Sequence, residues 1–355
     1  MRHVIERRST GRHRTATCHN FSMRVLWHGL FPVIALAAVI ALMKAALASD
    51  SDTVWFPTKN IEIIVPASPG GGFDRAARTI QRIWQDKQII VTPINVLNKP
   101  GGGGAISWAY LKERKENGNV LCISTPNILT NHISGKSSLT YTDFTPIAQL
   151  YNEYPVFAVR ADSPLKTGQD LVRRLKEAPN SLAVSVGSGY GNANHLAMVL
   201  IAKSAGLATK KLRVVVFKGS SEAMVALLGR HIDVAIVGAS VSLPHLESGQ
   251  IRILGISAPQ RLSGMLVSVP TWKEQGINSV MGNWRGIIGA PHMRPAQVSY
   301  WDNALNQLTN APEWKEAADD SLWILEYMDS KKSWSHLESE YSRLRALLEE
   351  LGLAR

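Results

Sequence analysis

The chain reads IEIIVPASPGGGFD over residues 61–74, and this stretch joins a strand pattern to a helix start through a glycine-rich turn. Four of the five residues at 61–65 are apolar and β-branched, which is typical of a buried strand. Residues 73–84 continue with a helical pattern. The glycines at 70–72 let the backbone turn tightly and approach a ligand, because they carry no Cβ. The stretch therefore predicts one strand–turn–helix unit of an α/β fold.

The same alternation of strand and helix patterns continues along the chain. Further strand patterns occur at 120–123, 183–186, 213–217, 234–237 and 251–256. Further helix patterns occur at 105–115, 193–205, 221–228, 297–308, 313–320 and 330–351. This order predicts the α/β class, with mostly parallel sheets and helices on both faces. In such sheets, ligands bind outside the carboxyl ends of the strands.

The first 48 residues have the composition of a secretory signal peptide. Six arginines precede an apolar run at 30–43, and Ala46-Leu47-Ala48 supplies a small-residue cleavage site. The apolar run is too short to span a bilayer of roughly 30 Å comfortably. The alternative is that the segment remains uncleaved and anchors the protein in the membrane. Either Met1 or Met23 could be the first residue. We expect export to the periplasm and removal of residues 1–48.

Charge and cysteine content exclude several classes of protein. The segment 1–48 holds seven of the 39 basic residues and one of the 28 acidic residues, so the remainder has a net charge of +5. This mild positive charge is compatible with attracting anions and does not support nucleic-acid binding. Cys18 lies in the signal segment and Cys122 is the other cysteine, so we expect no intrachain disulfide after cleavage. We also expect no metal and no cofactor.

The loop at 66–74 is the first candidate anion site. It opens a helix, whose first N–H groups are unpaired and carry partial positive charge. It lacks the G-K-[ST] ending of a P-loop and the G-x-G-x-x-G spacing of a dinucleotide site. A turn without a ligand is the alternative, and the favoured role for the carboxylate at 74 is to tie down its own loop. The candidate residues are Ala67, Ser68, Pro69, Gly70, Gly71, Gly72, Phe73 and Asp74.

A second glycine-rich loop at 187–195 also follows a strand and precedes a helix. Position 189 is glycine, so the G-x-S-x-G spacing of a nucleophile elbow is absent. The histidine could cap the helix, contact ligand or pack, and a structural role is favoured. The candidates here are Gly187, Ser188, Gly189, Tyr190, Gly191, Asn192, Asn194 and His195.

Three shorter loops follow other strands and place small or hydroxyl residues at strand ends. Their candidates are Ser124, Thr125, Asn127, Lys218, Gly238 and Ser240. Five loops converging on one cleft predict a site in which neutral donors and two helix N-termini hold an anion, with no arginine required.

A series of short motifs occurs in a fixed order from about Trp55 to the C-terminus. The motifs are Val65-Pro66 with Pro69-Gly70-Gly71 and Asp74; Asn98-Lys99-Pro100-Gly101 with Gly103-Gly104; Gly187-Ser188-Gly189 with His195-Leu196; Phe217-Lys218-Gly219; Val269-Pro270-Thr271 with Glu274 and Gly276; and Trp284, Gly286, Ala290 and Pro291. In this order the chain resembles the periplasmic solute-binding proteins of the tripartite tricarboxylate transporters, the Bug family. Asn192 and Asn194 depart from the serine or threonine usual there, which leaves the identity of the ligand open.

The resemblance implies a periplasmic-binding-protein type II-like fold, with two α/β lobes joined by crossover strands and a ligand cleft between them. We expect lobe 1 to comprise 51–152 and 275–355, and lobe 2 to comprise 153–274. The implied partners are a small carboxylate, such as a di- or tricarboxylate, and membrane transporter subunits. The implied protein is a monomer and not an enzyme. One alternative is a sensor that presents its ligand to a membrane receptor. Another is an exported serine hydrolase that pairs Ser188 or Ser68 with His195.

Overall fold

The computed structural model describes residues 54–187 and 189–355, which belong to one compact unit. The predicted signal peptide at 1–48 and the candidate residue Ser188 lie outside the described residues. Within these ranges, none of the helices combines the length and the apolar composition that crossing a membrane requires.

The first of two sheets has six strands in the order β11-β4-β10-β3-β1-β2. Its strands are β1 (Ile61–Val65), β2 (Ile94–Asn98), β3 (Val120–Ser124), β4 (Thr145–Asn152), β10 (Arg285–Gly289) and β11 (Ile324–Met328). Strand β1 pairs in parallel with β2 and β3. Strand β10 is antiparallel to both β3 and β4, and β11 is antiparallel to β4.

The second sheet has five strands in the order β7-β6-β8-β5-β9. Its strands are β5 (Pro155–Arg160), β6 (Ala183–Gly187), β7 (Arg213–Phe217), β8 (Val234–Gly238) and β9 (Ile251–Ile256). Strand β6 pairs in parallel with β7 and β8. Strand β5 is antiparallel to β8 and β9.

The prediction of mostly parallel sheets is wrong, because five of the nine strand pairs are antiparallel. The chain passes between the sheets twice, through residues 153–154 after β4 and through 257–284 after β9. Each time, the next strand enters the interior of the other sheet in the antiparallel direction: β5 lies between β8 and β9, and β10 lies between β4 and β3. These two strands join the sheets without a helical crossover.

Helices cover the sheets and begin near the carboxyl ends of the strands. They are α1 (Gly72–Asp86), α2 (Ala105–Lys112), α3 (Asn127–Ile133), α4 (Gly168–Glu177), α5 (Ala193–Ser204), α6 (Ser220–Leu228), α7 (Ala239–Glu247), α8 (Pro295–Asn310), α9 (Pro312–Ser321) and α10 (Ser330–Glu350). Sequence patterns identified seven of these segments and missed α3, α4 and α7. In α7 the interior Pro244 hides the helix, because proline normally ends one.

The central strands are buried along their whole length and fix the positions of the loops that follow them. Every residue of β3, β6 and β8 is buried. Cys122 in β3 is fully buried, as its apolar surroundings predict, and burial raises the pKa of its thiol far above the usual value. The loops after these strands therefore extend from a rigid, close-packed base.

Candidate functional site

A narrow cavity lies where the loops after β1, β3, β6, β7 and β8 meet. Residues from both sheets contribute to its wall. The sequence candidates that line it are Ala67, Gly71, Gly72, Phe73, Asn127, Gly187, Asn192, Asn194 and Gly238. All five predicted loop regions thus reach one cavity, with the β7 loop represented by Ser220.

Other sequence candidates lie near this cavity without lining it. Among the described residues, these are Ser68, Pro69, Gly70, Asp74, Ser124, Thr125, Gly189, Tyr190, Gly191, His195, Lys218 and Ser240. Gly189, Tyr190 and Lys218 instead line a neighbouring, more open depression together with Lys136. Several of the remaining side chains are used to hold the loops in place.

Asp74 ties down its own loop, as the sequence analysis favoured. Its Oδ2 accepts hydrogen bonds from the Gly70 N–H at 2.9 Å and from Arg78 Nε at 2.8 Å. Burial alone would raise the pKa of Asp74, but the hydrogen bonds from Arg78 and Gly70 hold it below its ordinary value. The carboxylate is therefore ionised at neutral pH and fixes the turn that leads into α1.

Helix α1 presents its N-terminus to the cavity. Gly71 is the residue before the helix, and no side chain caps the first turn there. Gly72 and Phe73, the first two helical residues, line the cavity. The N–H groups of an uncapped first turn have no partner within the helix, so they remain available to an anion or to water.

Asn192 shapes the second glycine-rich loop and caps α5. Its Oδ1 accepts from the His195 N–H at 2.8 Å, and its Nδ2 donates to the Gly187 carbonyl oxygen. Both ends of this amide are thus used within the loop. The side chain therefore positions the cavity wall, and its role as a ligand donor stays a prediction.

His195 also holds this loop in place. Its Nδ1 accepts from the Gly191 N–H at 3.1 Å, and its ring meets the Tyr190 ring edge-on with centroids 5.2 Å apart. Burial, with a smaller effect from the charge of Lys136, lowers the pKa of His195 to about 4. His195 is therefore neutral at pH 7 and has the structural role that the sequence analysis favoured.

Ser68 connects the loop after β1 to α6, a helix on the side of the second sheet. Its hydroxyl donates to Glu222 Oε1 in α6 at 2.6 Å. A second contact across the same gap runs from Lys136 Nζ to the Tyr190 carbonyl oxygen at 2.8 Å. Because the Ser68 hydroxyl is bonded to Glu222, it does not form the Ser68–His195 pair that the hydrolase alternative requires.

Sequence reasoning missed two charged residues that line the cavity, Glu153 and Arg285. Arg285 Nη2 donates to Glu153 Oε2 at 2.8 Å, and the two side chains are 3% and 0% exposed. Glu153 Oε1 also accepts from the Ser240 hydroxyl at 2.5 Å and from its N–H at 3.1 Å. The cavity wall therefore contains a guanidinium that no sequence pattern indicated, and it is paired with a carboxylate of the protein.

Weak signals for this pair exist in the sequence. Glu153 lies between two strands at the first connection of the sheets, and Arg285 opens the otherwise apolar strand β10. An ionisable residue at a connection or in a buried strand is rarely left without a partner. Their pairing across 132 positions of sequence is a property of the fold alone.

Replacing Gly187 by alanine is expected to lower the free energy of unfolding by about 1–3 kcal/mol. A Cβ at this position would lie 2.8 Å from the Ser220 N and 2.9 Å from the Gly219 carbonyl carbon, and backbone atoms cannot rotate away. Urea unfolding followed by tryptophan fluorescence measures the change.

Gly71→Ala is the matched control for this prediction. Its Cβ would meet nothing closer than 3.7 Å, and its φ of −82° is ordinary for alanine, so we expect a change within about 0.5 kcal/mol. Equal losses in the two variants would contradict the close approach of the β6 loop to α6.

Comparisons with known proteins identify relatives over most of the chain. Residues 77–353 match the model of the tripartite tricarboxylate transporter family receptor. A Cupriavidus necator protein, the UPF0065 protein in the gbd 5′ region, is 27% identical over 320 residues, which is 90% of this chain and 95% of that protein.

Two solved structures share the fold. The periplasmic binding protein BugD is 19% identical, with a TM-score of 0.77 over 84% of this chain and 99% of its own. MatC from Rhodopseudomonas palustris, solved with bound malate, is 20% identical, with a TM-score of 0.74 over 82% of this chain and 100% of its own. These likenesses confirm the predicted α/β binding-protein fold.

Proposed function

The chain belongs to the tripartite tricarboxylate transporter receptor family, and from that premise we propose that it captures a small organic acid in the periplasm and delivers it to a transporter of this type. The ligand is a di- or tricarboxylate or a related carboxylate. The protein acts by binding and not as an enzyme, as a monomer, and without nucleic acid.

The observation that carries this proposal is the meeting of several helix N-termini at one cavity. Gly72 begins α1, Ser220 begins α6 and Gly238 precedes α7, and all three line the cavity. Asn192, which caps α5, lines it as well. Helix N-termini carry partial positive charge, so their convergence favours an anionic ligand. The malate bound by MatC supports a carboxylate as that anion.

We assign the lobes as expected from the sequence, with 51–152 and 275–355 in lobe 1 and 153–274 in lobe 2. The strand composition of the two sheets supports this division, because β1–β4, β10 and β11 form one sheet and β5–β9 form the other. A ligand between the sheets contacts both lobes only when they are closed, so binding shifts the protein toward the closed form. The transporter would then recognise that form.

The route to the periplasm in this proposal is a signal peptide at 1–48 that is removed on export. N-terminal sequencing of protein recovered from the periplasm tests the cleavage site. A mature chain that begins near residue 49 supports the proposal, and a membrane-bound chain that retains residues 1–48 contradicts it.

A thermal-unfolding screen tests the proposed ligand class. A carboxylate supplied at about 100 times its dissociation constant should add roughly 2.7 kcal/mol of stability, since it binds only the folded protein. The screen compares mono-, di- and tricarboxylates with sugars, amides and cationic solutes. If solutes of another class raise the melting temperature and no carboxylate does, the proposal is wrong.

A further inference from the structure

A basic surface lies near the cavity, at the edge of the second sheet. Strand β7 is the outermost strand of that sheet, and Val216 within it is 39% exposed. Residues 178–221, which include β7, contain five Lys or Arg and no Asp or Glu. Charges of both signs are normally interspersed on a protein surface, so a segment with one sign of charge is a candidate binding surface for an acidic partner.

Two hollows bring three lysines of this surface together around Tyr190. One is the open depression described above, which is lined by Lys136, Tyr190 and Lys218. The other shares Lys136 and Tyr190 with it and is lined by Lys210 as well. Tyr190 is 47% exposed, and its carbonyl oxygen accepts from Lys136 Nζ at 2.8 Å. We call the surface formed by Lys136, Tyr190, Lys210 and Lys218 the basic strip.

The charges of the basic strip are not neutralised within the described part of the chain. No acidic side chain there lines either hollow, and no carboxylate there pairs with Lys210 or Lys218. Glu222, the next acid along the chain, accepts from the Lys218 N–H at 3.1 Å but lines neither hollow. Burial, and secondarily the positive charge of Arg355, lowers the pKa of Lys136. Carboxylates from a partner would supply the opposite charge that this surface lacks.

The shape of the basic strip favours an extended protein segment as the partner. Val214, Val216 and Lys218 occupy every second position along β7 and just beyond it, so they lie on one face. Val214 lines one hollow and Val216 the other, and Lys210 and Lys218 flank them at the two ends. An extended segment with alternating acidic and apolar residues matches this order, because its carboxylates reach the lysines while its apolar side chains enter the hollows. A flat membrane surface fits two adjacent hollows less well.

We propose that the basic strip docks an extended acidic segment of the membrane protein that receives the ligand. The proposal rests on the proposed delivery function and names the surface that delivery uses. Lys136 follows α3 on the side of the first sheet, whereas Lys210 and Lys218 flank β7 of the second sheet. The segment therefore contacts both sides of the cleft, which is what recognition of a closed form requires.

Fluorescence anisotropy with three labelled peptides tests the chemistry of this docking. Each peptide has about eight residues, long enough to run from Lys210 to Lys218, and alternates valine with glutamate, glutamine or lysine. We expect the glutamate peptide to bind the purified protein at least about tenfold more tightly than the glutamine peptide in about 0.01 M salt. In about 1 M salt, where the Debye length falls to about 3 Å, most of this difference should disappear.

Equal binding of the glutamate and glutamine peptides overturns the docking proposal. It leaves the proposed function standing if carboxylates stabilise the protein in the thermal screen. Conversely, if the glutamate peptide binds as expected and no carboxylate stabilises the protein, the ligand class is wrong and the basic strip remains a docking surface.

The double variant Lys210→Gln with Lys218→Gln tests the location of the docking surface. It should weaken binding of the glutamate peptide by about fivefold or more, because two charged contacts are lost. Lys315→Gln with Lys331→Gln is the matched control, since it removes the same charge from exposed lysines of α9 and α10 that line neither hollow. The control should bind the peptide as the parent does. Equal losses in both double variants would mean that the peptide responds to net charge alone, which contradicts the proposal.

Two further measurements keep the location test decisive. If the double variant does not fold, the single variants Lys210→Gln and Lys218→Gln replace it, and each should weaken peptide binding by about twofold or more. Vesicles of phosphatidylglycerol are titrated in parallel with the peptides. If vesicle binding depends on Lys210 and Lys218 and peptide binding does not, the strip meets a lipid surface and the proposal is wrong.

Discussion

Arg285→Met is expected to lower the free energy of unfolding by about 3–5 kcal/mol, because it leaves the Glu153 carboxylate buried without its counter-charge. The two side chains are 3% and 0% exposed, so the carboxylate has little contact with water that could replace the guanidinium. Ser240 alone would then hold the carboxylate. Urea unfolding followed by tryptophan fluorescence at pH 7 measures the loss.

Arg174→Met is the control for this prediction, since Arg174 also pairs with a glutamate, Glu177, but the two side chains are 51% and 59% exposed. An exposed pair contributes about 0–1 kcal/mol, so this variant should unfold almost as the parent does. Adding Glu153→Gln to Arg285→Met should recover much of the stability, because the buried charge is then absent. If Arg285→Met is no less stable than Arg174→Met, the Glu153–Arg285 pair is not buried as described.

Elements with a strong local pattern could be predicted from sequence. The strands at 61–65, 213–217 and 251–256 were placed at the bounds that the structure has, because each is a compact apolar run ended by turn residues. The five loop regions that reach the cavity were also found, since glycine and hydroxyl residues after a strand mark the carboxyl edge of an α/β sheet.

The direction of the central strands could not be predicted from local patterns. Strand β10 reads as a short apolar segment, and nothing within its five residues specifies antiparallel pairing with both β3 and β4. That pairing follows from where the chain returns to the first sheet after residues 257–284. The same long-range return brings Arg285 to Glu153, which is why sequence reasoning found neither residue.

The roles of polar loop side chains were the least predictable part of the site. Asp74, Asn192 and Ser68 all carry groups that could bind a ligand, and each bonds to protein atoms near the cavity. Short polar side chains compete for neighbouring backbone groups at helix starts, so local bonding often takes priority. Sequence therefore locates the loops of such a site better than it identifies the side chains that remain free.

His195 should make the protein less stable as the pH falls from about 6.5 to about 4. Burial, and secondarily Lys136, lowers its pKa in the folded protein to about 4, whereas an unfolded chain has a value near 6.5. In this window the unfolded state binds the proton and the folded state does not. The free energy of unfolding therefore decreases as the pH falls. The full difference corresponds to roughly 3 kcal/mol, lost progressively between these two values. Above pH 6.5 both states are neutral at this residue and its contribution is constant.

The variant His195→Asn isolates this contribution, because asparagine can accept from the Gly191 N–H as Nδ1 does but has no proton to gain. Urea unfolding at pH 7, 5.5 and 4 should show a smaller loss of stability in His195→Asn than in the parent. Carboxylates such as Asp74 add their own acid sensitivity, but they are common to both proteins and cancel in the comparison. His231→Asn replaces an exposed histidine in the same way and controls for the substitution itself. Identical slopes in all three proteins would mean that His195 takes up its proton in the folded state, and the loop it supports would then be open to water.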